Sequence, residues 1–223
     1  GTASVGAGVA YTEIGGVSDD KEKAEQHVTA EINNSAINTD DADSTVEVKA
    51  KDEARVINVA IGVGGAGNVA VQGASATTLI NKETSAGINS TNIDAGHEGS
   101  TKANVTVDAQ NSSEITSSAS TVAVAGSGAG VGAGIAVNRI IQQTNAAVTG
   151  GTMNVNNLKV NANATPRIEN IGVGGGIAGT GAGISGSVAV NMIENDVSAH
   201  IGSGANIVAD GSVGVVATSD EQI

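Results

Sequence analysis

The sequence contains no cysteine, no phenylalanine and no tryptophan, and Tyr11 is its single tyrosine. Without cysteine there can be no disulfides and no thiolate metal sites. The same lack suits a chain that crosses a secretion channel unfolded. Large aromatic rings bury roughly 150–250 Å² each, and without them a broad two-layer core would be thin. The interior must instead be built from valine, isoleucine, alanine and glycine. Such a set fills narrow, regular spaces in which backbones approach closely and each layer resembles the next. Proline is nearly absent too, with Pro166 alone among 223 residues. That scarcity and the long alternating β-branched stretches separate this chain, with its 32 glycines, from disordered glycine-rich sequence.

Basic residues are also few. Ten lysines and arginines stand against 23 acids, for a formal net charge of −13. Nucleic acid and anionic lipid both call for a basic face, so neither is the expected main partner. The charge is uneven: 12 of the acids lie between Tyr11 and Ala60, whereas Ile115 to Leu158 holds one charged residue, Arg139. The first region is expected to carry exposed loops and the second to be strand and tight turn. No apolar run approaches the roughly 20 residues of a membrane helix, and no signal peptide is visible. The abrupt start at Gly1 and stop at Ile223 lead us to expect an internal fragment of a longer protein.

What the chain does have is internal repetition. A small-residue run leading into V-A-V-N-x-I or a relative occurs at Gly6 to Ile14, Gly67 to Val71, Gly134 to Ile140 and Ser187 to Ile193. A second landmark, Ala-x-Ile/Val, follows each copy and begins at Ala30, Ala86, Ala146 and Ala199, at successive intervals of 56, 60 and 53. An alternating strand comes next, beginning at Val46, Val105, Leu158 and Val213. Alternation of apolar and polar residues marks a half-buried strand. Glycine/alanine runs then follow at Ile61 to Gly67, Ala125 to Gly134 and Ile171 to Gly183.

The spacing from the motif alanine to the second alanine varies. It is longest in the first copy (Ala10 to Ala30) and shorter in the second (Ala70 to Ala86). It is shortest, and equal, in the third (Ala136 to Ala146) and fourth (Ala189 to Ala199). The extra length in the first copy includes Ser18 to Gln26, a charged stretch with a capping residue in front, which predicts one short helix. Extra length at a fixed place is how solenoids accept insertions.

These patterns predict an all-β fold: a parallel β-solenoid, with a right-handed β-helix favoured, built from about four degenerate units. The approximate units are 1–53, 54–116, 117–166 and 167–223, in a single array. Because a solenoid coil usually takes fewer residues than such a unit holds, each unit is expected to supply two or three coils. The alternatives are a β-roll and a flattened antiparallel β-stack.

Candidate chemistry is sparse. The runs Gly62 to Gly67 and Gly172 to Gly179 resemble phosphate loops, but each leads into a strand and not a helix N-terminus. They read as sites where strands pack closely. His27, His97 and His200 have no partner spacing for a metal, and no trio pairs a nucleophile with a base. Asp40, Asp41 and Asp43 are candidate Ca²⁺ ligands, a cation that takes several oxygens, set against the plainer reading of solvated turns. Asp19, Asp20, Glu22 and Glu25 are candidate partner-binding acids. One tyrosine and a nearly uncharged middle speak against glycoside cleavage, which needs paired carboxylates in a cleft. No enzymatic activity, cofactor or small-molecule substrate is expected.

The repeat units, such as residues 181 to 201 from Gly181 to Ile201, resemble those of very large secreted adhesins of Gram-negative anaerobes. The leukotoxin-type and filamentous-haemagglutinin-like exoproteins look closest. The resemblance implies a β-helical shaft, secretion across the outer membrane by a type V route, and an extracellular or cell-surface location. It further implies attachment to host cells or matrix. The alternative it leaves open is a segment of a large secreted cytotoxin acting on host membranes. It carries over no catalytic residues.

Overall fold

The computed structural model describes residues 1–16, 26–39, 44–94 and 102–223. Fourteen strands fill these residues in chain order: β1 (Ala3–Ile14), β2 (Gln26–Asn33), β3 (Ala36–Asn38), β4 (Thr45–Ala66), β5 (Val69–Asn89), β6 (Asn92–Asp94), β7 (Asn104–Ala125), β8 (Ala129–Thr149), β9 (Thr152–Val155), β10 (Leu158–Asn170), β11 (Gly174–Ala178), β12 (Ala182–Ile201), β13 (Asn206–Ala209) and β14 (Val213–Ser219). The described residues contain no helix. The helix expected over Ser18 to Gln26 falls on residues 17–25, outside the described residues, and Gln26 itself opens β2.

Among the described residues every strand pairing is parallel. One long sheet stacks β1 and β2 on β5, then β8, then β12; a second stacks β4 on β7, then β10 and β11, with β14 beyond β10; a short third sheet runs β3, β6, β9, β13. The chain climbs from the first long sheet through the short one to the second, then turns back one level higher. This is a parallel β-solenoid, and the antiparallel alternative falls. The expected coil count needs correction. Ala30 pairs with Ala86, Ala86 with Ala146, and Ala146 with Ala199, so each repeat unit is one complete coil, not two or three. The long strands explain it. A strand of 22 residues such as β4 or β7 extends about 70 Å at ~3.3 Å per residue. The expected unit boundaries lie within β4, β7 and β10, whereas coils close at the glycine-rich turns between Ala66 and Val69, Ala125 and Ala129, and Ala178 and Ala182.

Because strands stack in register, similar residues recur at several levels of the coil, and their size sets the local distance between the sheets. Gln72 is an exception, its side chain filling the space that Gly6 and Gly64 leave. At the wide end, where the short sheet wedges the long ones apart, the core is Val48, Val107, Val160, Ile88, Val148, Ile93 and Met153. Farther along lies an isoleucine level, with Ile80, Ile140, Ile115 and Ile168. Next comes an alanine level, with Ala76, Ala136, Ala60 and Ala119. At the narrow end the two long sheets touch through glycine. A Cβ on Gly134 would sit 2.5 Å from the Ala119 carbonyl oxygen, and one on Gly62 would press still closer to that of Gly73. The glycine runs read from sequence as close-packing sites occupy this edge. The corner out of the first long sheet repeats as well: Asn34, Ser90 and Gly150 all adopt positive φ there.

Extra chain enters at two places, not one. Ala76 to Ala86, Ala136 to Ala146 and Ala189 to Ala199 are equal spans, and the true counterpart of Ala10 is Ala76. The Val69-Ala70-Val71 segment pairs six positions away from the motif, with Ala3 to Val5. The second coil therefore carries no insertion on this sheet. Its extra residues fall instead between Asp94 and Val105, where the third coil needs only Asn154 to Leu158.

Steric closeness at the narrow edge is testable. Gly134→Ala should cost about 1–3 kcal/mol, because the added methyl meets backbone and the sheets must separate. Gly186→Ala, where an added Cβ meets nothing within 4 Å, should stay within about 0.5 kcal/mol of the parent. Urea unfolding of the two variants separates the cases.

Candidate functional site

The candidates from the sequence divide by location. Asp19, Asp20, Glu22, Glu25, Asp40, Asp41, Asp43 and His97 lie outside the described residues. His27 projects from β2 and contacts Glu83 of the next coil, Nδ1 to carboxylate oxygen, at 2.9 Å. His200 lies at the far end of β12, 3.5 Å from Ser198 Oγ. The structure does not bring the two together. Among the described residues no three His, Cys, Asp or Glu side chains gather as a metal site would need.

The chemistry-bearing cluster that sequence motifs do not reveal is internal. One level of the coil, between the isoleucine level and the wide core, is polar at every register position except Ala164 in β10. Lys82 in β5 is fully buried, and its Nζ lies 2.7 Å from Oδ1 of Asp52 in β4, itself 6% exposed. One coil higher, Gln142 and Asn111 occupy the same register positions. There Gln142 Nε2 donates to Asn111 Oδ1 at 2.7 Å and to Ser113 Oγ at 2.6 Å. In the fourth coil Asn195 Nδ2 donates to Ser219 Oγ at 2.8 Å. The same level thus holds an ion pair once and neutral hydrogen bonds twice. Burial pushes the Lys82 ammonium below the ordinary lysine pKa, against the opposing pull of the Asp52 carboxylate. Asp52 Oδ2 has no partner among the described residues. A signal for this level exists in the alternation: Lys82 shares the inward parity of Ile80 and Thr84, and Asp52 that of Val48 and Ala50.

A second polar level separates isoleucine from alanine. Asn58 Nδ2 donates to the Thr77 carbonyl at 2.8 Å and to Thr78 Oγ1 at 2.9 Å. Asn138 Nδ2 donates to Asn170 Oδ1 at 3.0 Å and to Asn191 Oδ1 at 3.1 Å. Similar ladders climb the corners, where Asn89 Nδ2 donates to Asn33 Oδ1 and Thr149 Oγ1 donates to Asn89 Oδ1, at 2.8 and 2.6 Å. These rungs tie neighbouring coils and hold register. They present no nucleophile–base geometry.

Two crevices open among the described residues, one of about 110 Å³ beside Ala119, Ala136, Asn170 and Val188, and another of about 250 Å³ beside Gln142, Gln143, Glu194 and Asp196. Sites for small ligands run to roughly 300–1,000 Å³. The outward faces of the two long sheets carry exposed valine and isoleucine side chains. Comparison with known proteins finds no matching family model, no similar curated protein and no similar solved structure.

The buried pair makes a sharp prediction. Removing one partner of a buried ion pair costs about 3–5 kcal/mol, because the other charge is left uncompensated. Lys82→Gln alone should therefore destabilise strongly, while Lys82→Gln with Asp52→Asn, which copies the Gln142–Asn111 rung, should recover most of the loss in denaturant unfolding. The pH dependence follows from linkage. Between the lowered folded pKa of Lys82 and the ordinary lysine value the unfolded chain binds more protons, so stability rises with pH across that window. The parent should gain stability relative to the double variant as pH climbs through it.

Proposed function

We propose that this chain is a segment of the structural and adhesive body of a secreted or surface-exposed bacterial exoprotein, extracellular in location, that contacts host cells or matrix and performs no catalysis. The observation that carries this reading is the economy of the coil. Each coil spends 53 to 60 residues on one rise of about 4.8 Å. Four coils advance only about 19 Å along the axis, while the long strands spread about 70 Å across it. A chain selected for reach would use short coils. This one is spent on breadth, and broad flat faces serve display and surface contact.

The acidic additions suit the same reading. The extra residues of the first coil fall between Ile14 and Gln26, whose counterparts Ile80 and Lys82 are only two positions apart. Deleting residues 16–25 leaves Ile14-Gly15-Gln26 in place of Ile80-Asn81-Lys82 and should preserve the β-rich circular dichroism. If Asp19, Asp20, Glu22 and Glu25 contact a receptor, the deletion should also lower binding of the chain to host cells or immobilised matrix several-fold. Undiminished binding would remove these acids from the interface. Saturable leakage of neutral vesicles by the intact chain would replace the adhesive reading with the cytotoxin alternative.

A further inference from the structure

The outer surface of the solenoid is divided along its strands. Around the level of the isoleucine core the outward positions carry charge: Glu13, Arg139 and Glu194 on the first long sheet, Arg55, Glu114, Arg167 and Glu169 on the second. From these residues to the glycine edge, charged side chains are absent from the outward positions of both sheets. The first sheet presents rows of valine and isoleucine in register across the coils. Val9, Ser75, Ile135 and Val188 form one row, and Tyr11, Thr77, Val137 and Val190 the next. Val9 is 77% exposed, Val188 62% and Ile135 51%. These side chains contribute nothing to the core. In the middle coils the interior at this edge is closed without them, while inward positions of β12 such as Gly183, Ser185 and Ser187 are themselves exposed.

Size argues that the face is a contact surface. Four strands about 4.8 Å apart, each running from the level of Ala3 to that of Tyr11 at about 3.3 Å per residue, give a patch of roughly 550 Å². The second sheet is only three strands wide at this level, since β14 ends at Ser219, opposite Ala164. The first sheet therefore offers the larger face. Pairing two such patches would bury about 1,100 Å² in total, just past the ~1,000 Å² that a specific protein interface needs.

Lipid is the rival occupant, and the edge itself opposes it. To enter hydrocarbon the solenoid would lead with its turns: Gly67-Asn68, Gly126-Ser127-Gly128 and Gly179-Thr180-Gly181. These are irregular backbone with polar side chains, and lipid-exposed irregular loops are not found within the hydrocarbon layer. A second copy makes no such demand. Its identical face has the same spacing between coils and along strands, so valine rows of one copy can seat between those of the other as in a sheet-on-sheet sandwich. A two-fold axis along the strands lays uncharged zone on uncharged zone and leaves the turns of both copies in water.

We propose that the outward face of β1, β5, β8 and β12 at the glycine edge is a self-association surface, on which a second copy of this chain docks face to face with its solenoid axis reversed. Sedimentation equilibrium of the full chain should show a concentration-dependent dimer. Val188→Glu and Ile135→Glu should each raise its dissociation constant at least about tenfold, because a charge would be buried unpaired at the contact. Ile135→Thr, which keeps a β-branched side chain, should weaken the dimer in the same direction and guard against misfolding of the glutamate variants. Ile61→Glu, on the opposite sheet, should leave it unchanged. A monomer throughout the micromolar to millimolar range would overturn the proposal, as would equal weakening by Ile61→Glu. Flotation of the monomer with phosphatidylcholine vesicles, abolished by Val188→Glu, would assign the face to lipid instead. The readout is oligomeric state, so it stands or falls separately from receptor binding.

Discussion

The parallel hydrogen-bond ladder between successive coils is the constraint from which the other features descend. Once Ala30, Ala86, Ala146 and Ala199 are locked in one column, every neighbouring residue is committed to its own column, because a one-residue slip would turn each inward side chain outward. The apolar columns are then filled by similar volumes. That is why the interior is graded from methionine, valine and isoleucine through alanine to glycine, and why a chain without phenylalanine or tryptophan still closes a core. The gradation replaces what aromatic rings do elsewhere: the space between the sheets shrinks to fit small side chains.

Polar columns fit the same logic at higher stakes. Several amides buried at one level donate across the coil or to the coil above, as Asn138 Nδ2 does to Asn170 and Asn191, while hydroxyls such as those of Thr84, Ser117 and Thr144 have no partner among the described residues. Parity excludes a one-residue slip, but a two-residue slip keeps inward positions inward, and apolar columns alone oppose it less strongly. A buried asparagine or the Lys82–Asp52 pair penalises the wrong register by leaving a polar group unpaired. The pair therefore reads as a device for register within the first two coils. Its neutral equivalents above it do the same with a smaller desolvation cost.

Much of this was legible in the sequence because columns are repeats read vertically. The second landmark and the alternating strand both mark positions that pair: Val46 with Val105, Leu158 with Val105 and Val213. Two readings fail for a single reason. The sequence Val69-Ala70-Val71 resembles the motif better than Ser75-Ala76-Thr77 does, yet the latter is the partner of Val9-Ala10-Tyr11. Outward positions on the middle coils tolerate serine or threonine as readily as valine, so local similarity misplaces the copy by six positions and creates an apparent second insertion. Only the inward alanine is held by packing. The number of coils per unit is misread because solenoid coils usually take fewer residues than each unit holds. Here the small-residue runs lengthen the strands, kept extended by tight contact between sheets, so one coil uses the whole unit. The acids at 19–25 and 40–43 lie outside the described residues. Lys82 and Asp52 are not legible as a pair, since they sit on different sheets and only closure of the coil brings them together.

Breadth has a consequence for how such a body could work. A solenoid with short coils has little lateral surface per rise. With strands of about 70 Å the same outer face can be divided, charged around the isoleucine level and uncharged toward the glycine edge, without either zone disturbing the core. The division is possible because inward and outward positions alternate: Arg55, Ile57 and Val59 can vary in character while Val56, Asn58 and Ala60 between them obey their columns. Selection can thus write a surface along the strands independently of the fold, and each added coil lengthens both zones together. Weak contacts per coil then sum along the stack, so adhesion or lateral pairing would strengthen with coil number although no single coil contains a site.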